Sequence, residues 1–187
     1  MPPLCARCGA PTAWPVARCR ECAGRRLAFA GARAAVVYDP DVRRIVRGWK
    51  ERGLRRLALE AARIVSDRLP RADVDLVTFV PPDGERRLER GYHPAEQLAR
   101  ALASEWGLPC EALLRRVGRS SRQRGLSLAE RRGNVANAFA ARPCEGKVLL
   151  VDDVYTTGAT AHAAAAALRT HVEVVTFARA VRSPRLG

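Results

Sequence analysis

Four apolar residues at positions 148–151 run directly into Asp152 and Asp153, and this junction restricts the fold more than anything else in the chain. A short apolar run of this kind predicts a buried strand over residues 147–151, and the alanine-rich segment 160–169 predicts a helix just beyond it. A strand, a tight turn and a helix in this order are typical of parallel α/β sheets. Similar patterns predict strands at 34–38, 75–80 and 172–180, and helices at 41–52, 54–70 and 94–106. We therefore expect an α/β fold with a parallel sheet.

The turn between that strand and that helix has the composition of a phosphate-binding loop. Small residues let several backbone N–H groups approach one point, at the positive end of the helix dipole, and threonine hydroxyls add further donors. Asp152 and Asp153 at the strand end have the chemistry to bind ribose hydroxyls, directly or through a divalent cation. Phosphate and a vicinal diol together indicate a ribose 5-phosphate; the alternative is that the two carboxylates only cap the helix. The candidate phosphate-binding residues are Tyr155, Thr156, Thr157, Gly158, Ala159 and Thr160.

Two Cys-x-x-Cys pairs lie near the start of the chain, at Cys5, Cys8, Cys19 and Cys22. Such pairs supply four thiolates for a tetrahedral Zn²⁺ site, and metal binding would provide the folding free energy that a segment this short cannot obtain from a core. Four sulfur ligands leave no open position for a substrate, so we expect a structural metal. Disulfides or a redox role are the alternatives, and a cytoplasmic setting disfavours disulfides. We expect a zinc-binding module over residues 1–30 and an α/β domain over residues 31–187.

The composition adds a strong positive charge to this framework. The chain has 33 Lys and Arg residues against 19 Asp and Glu, which gives a formal net charge of +14. This charge favours a polyanionic partner such as nucleic acid, a phosphorylated ligand or an anionic membrane, although a biased genome would also enrich arginine. No stretch approaches the roughly 20 apolar residues of a membrane span, and residues 1–8 lack the apolar core of a signal peptide. We expect a cytoplasmic protein without membrane insertion.

The chain resembles the ComF family of competence proteins, in which a cysteine-rich zinc module precedes a phosphoribosyltransferase domain. The resemblance rests on the four cysteines and on residues 38–50, 80–82, 86–99, 122–126, 131–139 and 148–160. The last segment is similar to the 5-phosphoribosyl-1-pyrophosphate (PRPP) motif of type I phosphoribosyltransferases. The resemblance implies a Rossmann-like parallel sheet, Mg²⁺-PRPP as the ligand, phosphate contacts from residues 156–160, and a part in DNA uptake and natural transformation.

Arginines follow the predicted strand 75–80, at the place where related transferases bind pyrophosphate. The planar guanidinium group suits phosphate oxygens and stays charged, although a solvated face paired with neighbouring glutamates is the alternative. The candidate pyrophosphate-binding residues are Arg86, Arg87 and Arg90.

A second basic stretch, residues 115–132, is rich in Arg, Ser and Gly and is expected to be largely loop. It resembles the loop that closes over the substrate in the transferase fold; alternatively, it follows the backbone of single-stranded DNA. We interpret Trp14, Trp49 and Trp106 as packing residues rather than as platforms on which bases stack. The possible DNA-binding residues are Arg43, Arg47 and Lys50 on the helix 41–52, and Arg119, Arg122 and Arg124 in the loop.

The sequence leaves two classes of function open. In the first, the protein is a competence factor that handles single-stranded DNA in the cytoplasm together with other competence proteins, and its PRPP site is regulatory. In the second, it is an active phosphoribosyltransferase of nucleotide metabolism, with Asp152 and Asp153 as the catalytic carboxylates that hold the ribose. No residue identifies the acceptor that would displace pyrophosphate, so whether transfer chemistry occurs stays undecided.

Overall fold

The computed structural model describes residues 3–54, 56–82, 92–117 and 138–181. Its elements follow in chain order as β1 (Gly31–Val37), α1 (Pro40–Arg52), α2 (Arg56–Arg68), β2 (Leu76–Phe79), α3 (Pro94–Trp106), β3 (Leu114–Arg116), β4 (Phe139–Ala141), β5 (Val148–Tyr155), α4 (Ala159–Leu168) and β6 (Val172–Arg179). Every predicted strand and helix is present. The short strands β3 and β4 are additional, because three residues are too few to show a periodic pattern.

Four of the strands form one parallel sheet in the order β1-β6-β5-β2. β3 and β4 pair antiparallel as a separate two-stranded sheet. The prediction of an α/β fold with a parallel sheet is confirmed. Among the described residues, no helix combines the length and the apolar character needed to cross a membrane.

The side chains of β5 alternate between two separate buried clusters, one on each face of the sheet. Leu149 and Val151 pack with α1, α2 and α3 on one face. Val148 and Leu150 pack with α4 on the opposite face. Because a central strand of a parallel sheet is covered on both sides, its sequence is continuously apolar rather than alternating.

The N-terminal cysteine segment, which we define as residues 3–30, shares the second of these faces with α4. Cys5, Cys8 and Cys22 are buried in the same cluster as Val148 and Val172 of the sheet. The segment therefore covers part of the sheet in addition to holding its own cysteines.

Two of the three tryptophans lie where the sequence analysis expects them. Trp49 is completely buried and makes an edge-on contact with Phe177, with ring centroids 6.5 Å apart, and Trp106 is also buried. The interpretation of Trp14 as a packing residue is wrong, because its side chain is 70% exposed. No periodic pattern surrounds Trp14, so its burial could not be judged from the sequence.

Candidate functional site

The candidate site lies where β2 ends beside β5. Pairing between these strands stops at Phe79 and Val151, whereas β5 remains paired with β6 as far as Tyr155. Asp152 and Asp153 therefore lie beyond the end of β2. α3, which follows β2, and α4, which follows β5, lie on opposite faces of the sheet. Ligands of open α/β sheets bind in the crevice between two neighbouring strands whose helices lie on opposite faces.

A cleft of about 190 Å³ occupies this position. It brings together residues from five separate parts of the chain. Its charged and polar lining consists of Lys50, Tyr92, His93, Arg116, Asp152, Asp153 and Thr160.

Lys50 contributes a positive charge from the last turn of α1. Its Nζ lies 2.7 Å from Oδ1 of Asp153, whose residue is only 7% exposed. The end of α1 is held in place by Tyr92, whose hydroxyl lies 2.6 Å from the carbonyl oxygen of Trp49 and 2.9 Å from that of Lys50. Sequence analysis assigns Lys50 to a DNA-binding face, whereas its side chain lies in the cleft.

The two carboxylates of the acidic pair have different environments. Burial, followed by the negative charge of Asp153, raises the pKa of Asp152 to about 7, although the positive charges of Lys50 and Arg116 act in the opposite direction. The Asp152 carboxylate also accepts a hydrogen bond of 2.9 Å from the backbone N–H of Asp153. A carboxyl group that titrates near neutral pH beside a second carboxyl group is typical of functional sites.

His93 precedes α3 and carries a buried ring nitrogen, Nδ1, that has no hydrogen-bond partner among the described residues. Burial lowers the pKa of His93 to about 4, in spite of the nearby negative charge of Asp153. The ring is therefore neutral at physiological pH, and His93 lines the cleft without adding a charge to it. Sequence analysis does not single out His93 as a site residue, because a histidine before a helix is equally typical of an exposed loop.

Arg116 reaches the cleft from β3. Its Nε donates to the carbonyl oxygen of Pro81 at 3.0 Å, and its guanidinium carbon lies 4.8 Å from the centre of the Phe139 ring. These contacts fix a cation beside the end of β2. Sequence analysis places this residue in a basic stretch without identifying it, and its position in the cleft depends on the pairing of β3 with β4.

The loop that follows β5 leads into α4 as predicted. Gly158 is the residue before the helix, with a φ of 74°, and it has no side chain that could accept a hydrogen bond from the first turn. Thr156 and Thr157 are exposed, and Thr160 lines the cleft. The backbone N–H of Ala159 donates a long hydrogen bond of 3.4 Å to the Thr157 hydroxyl. The start of the helix and the threonine hydroxyl groups thus lie next to the acidic pair, an arrangement suited to a phosphate group.

Tyr155 does not line this cleft but borders a smaller cavity together with Asp152 and Gly158. Its ring is buried in an edge-on contact with Phe29, with centroids 6.4 Å apart. A Cβ atom added to Gly158 would overlap the Tyr155 hydroxyl, so that hydroxyl lies directly beneath the loop. Burial raises the pKa of Tyr155, and the hydroxyl therefore stays protonated.

The four N-terminal cysteines form a compact cluster whose thiol sulfurs all lie within 4.8 Å of one another. The Sγ atoms of Cys5 and Cys22 are 3.6 Å apart, those of Cys8 and Cys19 are 3.5 Å apart, and all four cysteines are free. A tetrahedral zinc ion with Zn–S bonds of about 2.3 Å places its sulfurs about 3.8 Å apart. The cluster therefore fits a metal such as zinc.

Several predicted site residues cannot be placed in this geometry. Arg86, Arg87, Arg90, Arg119, Arg122 and Arg124 lie outside the described residues. Arg43 and Arg47 are exposed on α1, and the Nε of Arg47 lies 2.9 Å from a carboxylate oxygen of Glu51 in the next turn.

The sequence of this chain is similar to that of a curated competence protein. No protein-family model matches the chain. Over 122 residues, which are 60% of this chain and 52% of the relative, the sequence is 35% identical to Competence protein F of Haemophilus influenzae (strain ATCC 51907 / DSM 11121 / KW20 / Rd). The predicted resemblance is confirmed. The chain spans about half the length of this curated relative.

Three solved structures show some likeness to this chain. Glutamine PRPP amidotransferase from B. subtilis, complexed with ADP and GMP, gives a TM-score of 0.40 at 21% identity, over 65% of this chain and 25% of that one. The structure described as the allosteric regulatory enzyme of purine biosynthesis gives a TM-score of 0.40 at 22% identity, over 64% of this chain and 25% of that one. An adenine phosphoribosyltransferase gives 0.38 at 18% identity, over 72% and 74%.

Proposed function

We propose that this chain is a ComF-type competence protein whose phosphoribosyltransferase-like domain, residues 31–187, binds PRPP or another ribose 5-phosphate. One observation carries the proposal: Asp152, Asp153 and Thr160 share a single cleft, at the point where the loop 156–160 begins α4. Acceptors for hydroxyl groups and donors for a phosphate group thus lie side by side. The confirmed resemblance to ComF proteins supports the same ligand.

Different parts of the site are proposed to bind different groups of the ligand. The loop 156–160 takes the 5-phosphate on its backbone N–H groups and threonine hydroxyls, and Asp152 and Asp153 accept the ribose hydroxyls. Lys50 and Arg116 add positive charge to the cleft. Arg86, Arg87 and Arg90, which lie outside the described residues, are proposed from the resemblance alone to neutralise the pyrophosphate.

Mg²⁺ is the expected companion of PRPP. Carboxylate oxygens and phosphates are its preferred ligands, and the cleft contains a pair of carboxylates. When bound, the ion would supply charge neutralisation for the pyrophosphate. This chain's own residues would orient the ribose and hold the 5-phosphate.

Calorimetry with PRPP and Mg²⁺ tests the site. Wild type is expected to bind, and the variant Asp152→Asn/Asp153→Asn is expected to lose most of its affinity because it lacks the charged acceptors. Asp67→Asn is a matched control, since Asp67 is exposed on α2 away from the cleft. Equal affinities in all three proteins would contradict the site. Pyrophosphate release that is faster in the wild type than in the double variant would show that the protein cleaves PRPP, with water as the acceptor in these samples.

The DNA-handling part of the proposal is supported by the surface of the cysteine segment. The exposed Trp14 lies close in sequence to the exposed Arg18 and Arg20. An aromatic ring among arginines suits single-stranded DNA, because the bases stack on the ring and the arginines neutralise phosphates. We propose that the protein handles single-stranded DNA in the cytoplasm, together with other competence proteins.

Fluorescence anisotropy with a labelled single-stranded oligonucleotide tests this part. Affinity is expected to fall steeply with salt, and Trp14→Ala is expected to weaken binding without changing the salt slope, because it removes stacking but no charge. Arg119→Ala/Arg122→Ala/Arg124→Ala is expected to flatten the slope. An oligonucleotide that does not bind at low salt would refute DNA handling while leaving the PRPP site untouched.

A further inference from the structure

The buried Arg179 at the end of β6 has no role in the cleft and calls for an explanation. Its residue is only 4% exposed, and arginine is rarely buried without partners. The guanidinium donates to the carbonyl oxygen of Cys8 at 2.6 Å, lies 3.8 Å from the Cys8 thiol sulfur, and forms an ion pair with Glu21 at 2.8 Å. Arg179 therefore belongs to the surroundings of the four-cysteine cluster.

The same guanidinium lies against the residue beneath the phosphate loop. Its central carbon is 4.5 Å from the centre of the Tyr155 ring, and the two residues are partners in the β5–β6 ladder. The Tyr155 hydroxyl in turn fills the space next to Gly158, where a Cβ atom would overlap it. An unbroken series of contacts thus leads from Cys8 through Arg179 and Tyr155 to the start of α4.

A second set of contacts joins the cysteine segment to the two sides of Gly158. Nη1 of Arg25 donates to the carbonyl oxygen of Thr157 at 2.9 Å. The backbone N–H of Ala28 donates to Nδ1 of His162 at 3.0 Å. The loop is consequently held by the cysteine segment both before and after the glycine.

We propose that Arg179 is a positioning residue that couples metal binding at the four cysteines to phosphate binding at the loop 156–160. Four thiolates around one divalent ion carry a net negative charge, which the Arg179 cation offsets. Without the metal, the cysteines have no common ligand to hold them, and Arg179 loses its fixed partner at Cys8. Tyr155 then no longer has a fixed position beneath Gly158, and the loop loses the geometry that a phosphate needs.

Coupling between two binding sites is reciprocal, so a ligand on the loop must also retain the metal. The inference rests on the proposed function, since it needs the loop to bind a phosphorylated sugar. It goes beyond that function by making the cysteine cluster a determinant of ligand affinity rather than a separate folding unit.

Zinc release from the full-length protein to a competing chromogenic chelator, measured at equilibrium with and without ribose 5-phosphate, tests the coupling. In wild type, saturating ribose 5-phosphate is expected to raise the zinc affinity several-fold. In Arg179→Met, the zinc affinity is expected to be lower and independent of ribose 5-phosphate. Arg33→Met is the matched control, because Nη1 of Arg33 donates to the carbonyl oxygen of Ala6 in the cysteine segment, and its hydrogen bonds among the described residues include neither a thiol nor Tyr155.

If Arg179→Met does not fold, Arg179→Lys takes its place. Lysine keeps the charge but lacks the planar fork that reaches Cys8 and Glu21 together, so a reduced effect of ribose 5-phosphate is expected. An undiminished effect in Arg179→Lys, or an equal loss in Arg33→Met, would overturn the role of Arg179.

Calorimetry of ribose 5-phosphate on the zinc-loaded wild type separates the two possible failures. If the sugar phosphate binds but leaves the zinc affinity unchanged, the coupling is wrong and the proposed function stands. If it does not bind, the proposed ligand site is wrong and the coupling falls with it.

Discussion

The ammonium group of Lys50 lies 2.7 Å from the carboxylate of Asp153, and this ion pair joins the end of α1 to the central strand β5. The Asp153 side chain is 11% exposed and that of Lys50 is 35% exposed, so the pair is partly shielded from water. It places a cation among the acidic groups of the cleft before any ligand arrives. The contact links residues 103 positions apart in the chain.

Replacing Lys50 by methionine is expected to destabilise the protein, because it leaves the Asp153 carboxylate without its ion partner. Losing a partner of a partly buried charge costs about 1–3 kcal/mol. The free energy of unfolding in urea at pH 7 measures the effect. Arg47→Met is the control, since its pair with Glu51 has side chains 74% and 52% exposed and its loss is expected to cost less than the loss of the Lys50 pair. Equal costs for the two variants would mean that the Lys50 pair is not shielded.

Asp152→Asn is expected to change how stability depends on pH. The pKa of Asp152 is raised from 3.8 to about 7, so the folded state binds more protons than the unfolded state between these values. This carboxyl group therefore makes the protein less stable as pH rises from about 4 to 7. Asp152→Asn removes that contribution, and its stability relative to wild type should increase across the window. Urea titrations at several pH values measure the difference in unfolding free energy between the variant and wild type. A difference that does not change with pH would contradict the raised pKa of Asp152.

His93→Gln is expected to have the opposite effect on the pH dependence of stability, with its stability relative to wild type increasing as pH falls. The pKa of His93 is lowered from 6.5 to about 4 by burial, so the unfolded state binds more protons between these values. Wild type therefore loses stability as pH falls from 6.5 towards 4, by at most about 3 kcal/mol. Glutamine does not titrate, and the variant should lose less. Charged neighbours of His93 are Asp153, Glu96, Lys50 and Arg116, and an NMR titration of the ring in wild type checks that it stays neutral at pH 5.

Gly158→Ala is expected to disturb the loop in two ways. The left-handed backbone at φ 74° costs alanine about 1–2 kcal/mol. The new Cβ would also overlap the Tyr155 hydroxyl, which adds about 1–3 kcal/mol. Gly107→Ala is the matched control, because Gly107 has a φ of 65° and nothing within 4 Å of its Cβ position. Gly158→Ala should therefore lose more stability in thermal unfolding than Gly107→Ala, and equal losses in the two variants would contradict the steric explanation.

Cys22→Ser is expected to abolish metal binding, because the cluster then lacks one of its four thiolates. Native mass spectrometry should find one zinc ion per chain in wild type and none in the variant. Cys144→Ser is the control, since Cys144 lies outside the cluster. The loss of metal should also lower the melting temperature, because the cysteine segment covers one face of the sheet. Full metal content in the variant would refute the four-cysteine site.

Local sequence patterns were sufficient to predict most of the helices and strands and part of the candidate site. The predicted helix 94–106 coincides with α3, because Pro94 opens it and Gly107, with a φ of 65°, closes it. The acidic pair and the loop 156–160 were also identified from adjacent residues. Arg116 and Lys50 were not assigned to the cleft, because their positions depend on which strands and helices meet at the end of β2.

The sequence by itself determined the parallel α/β class, the four-cysteine cluster and the acidic pair before a helix, because each depends on residues close together in the chain. Only the tertiary structure decided that Lys50 faces Asp153, that Trp14 is exposed, and that Arg179 joins Cys8 to Tyr155. The physical reason is the same in each case. A local pattern sets the backbone of a segment, whereas the partner of a side chain depends on how distant segments pack against the two faces of the sheet.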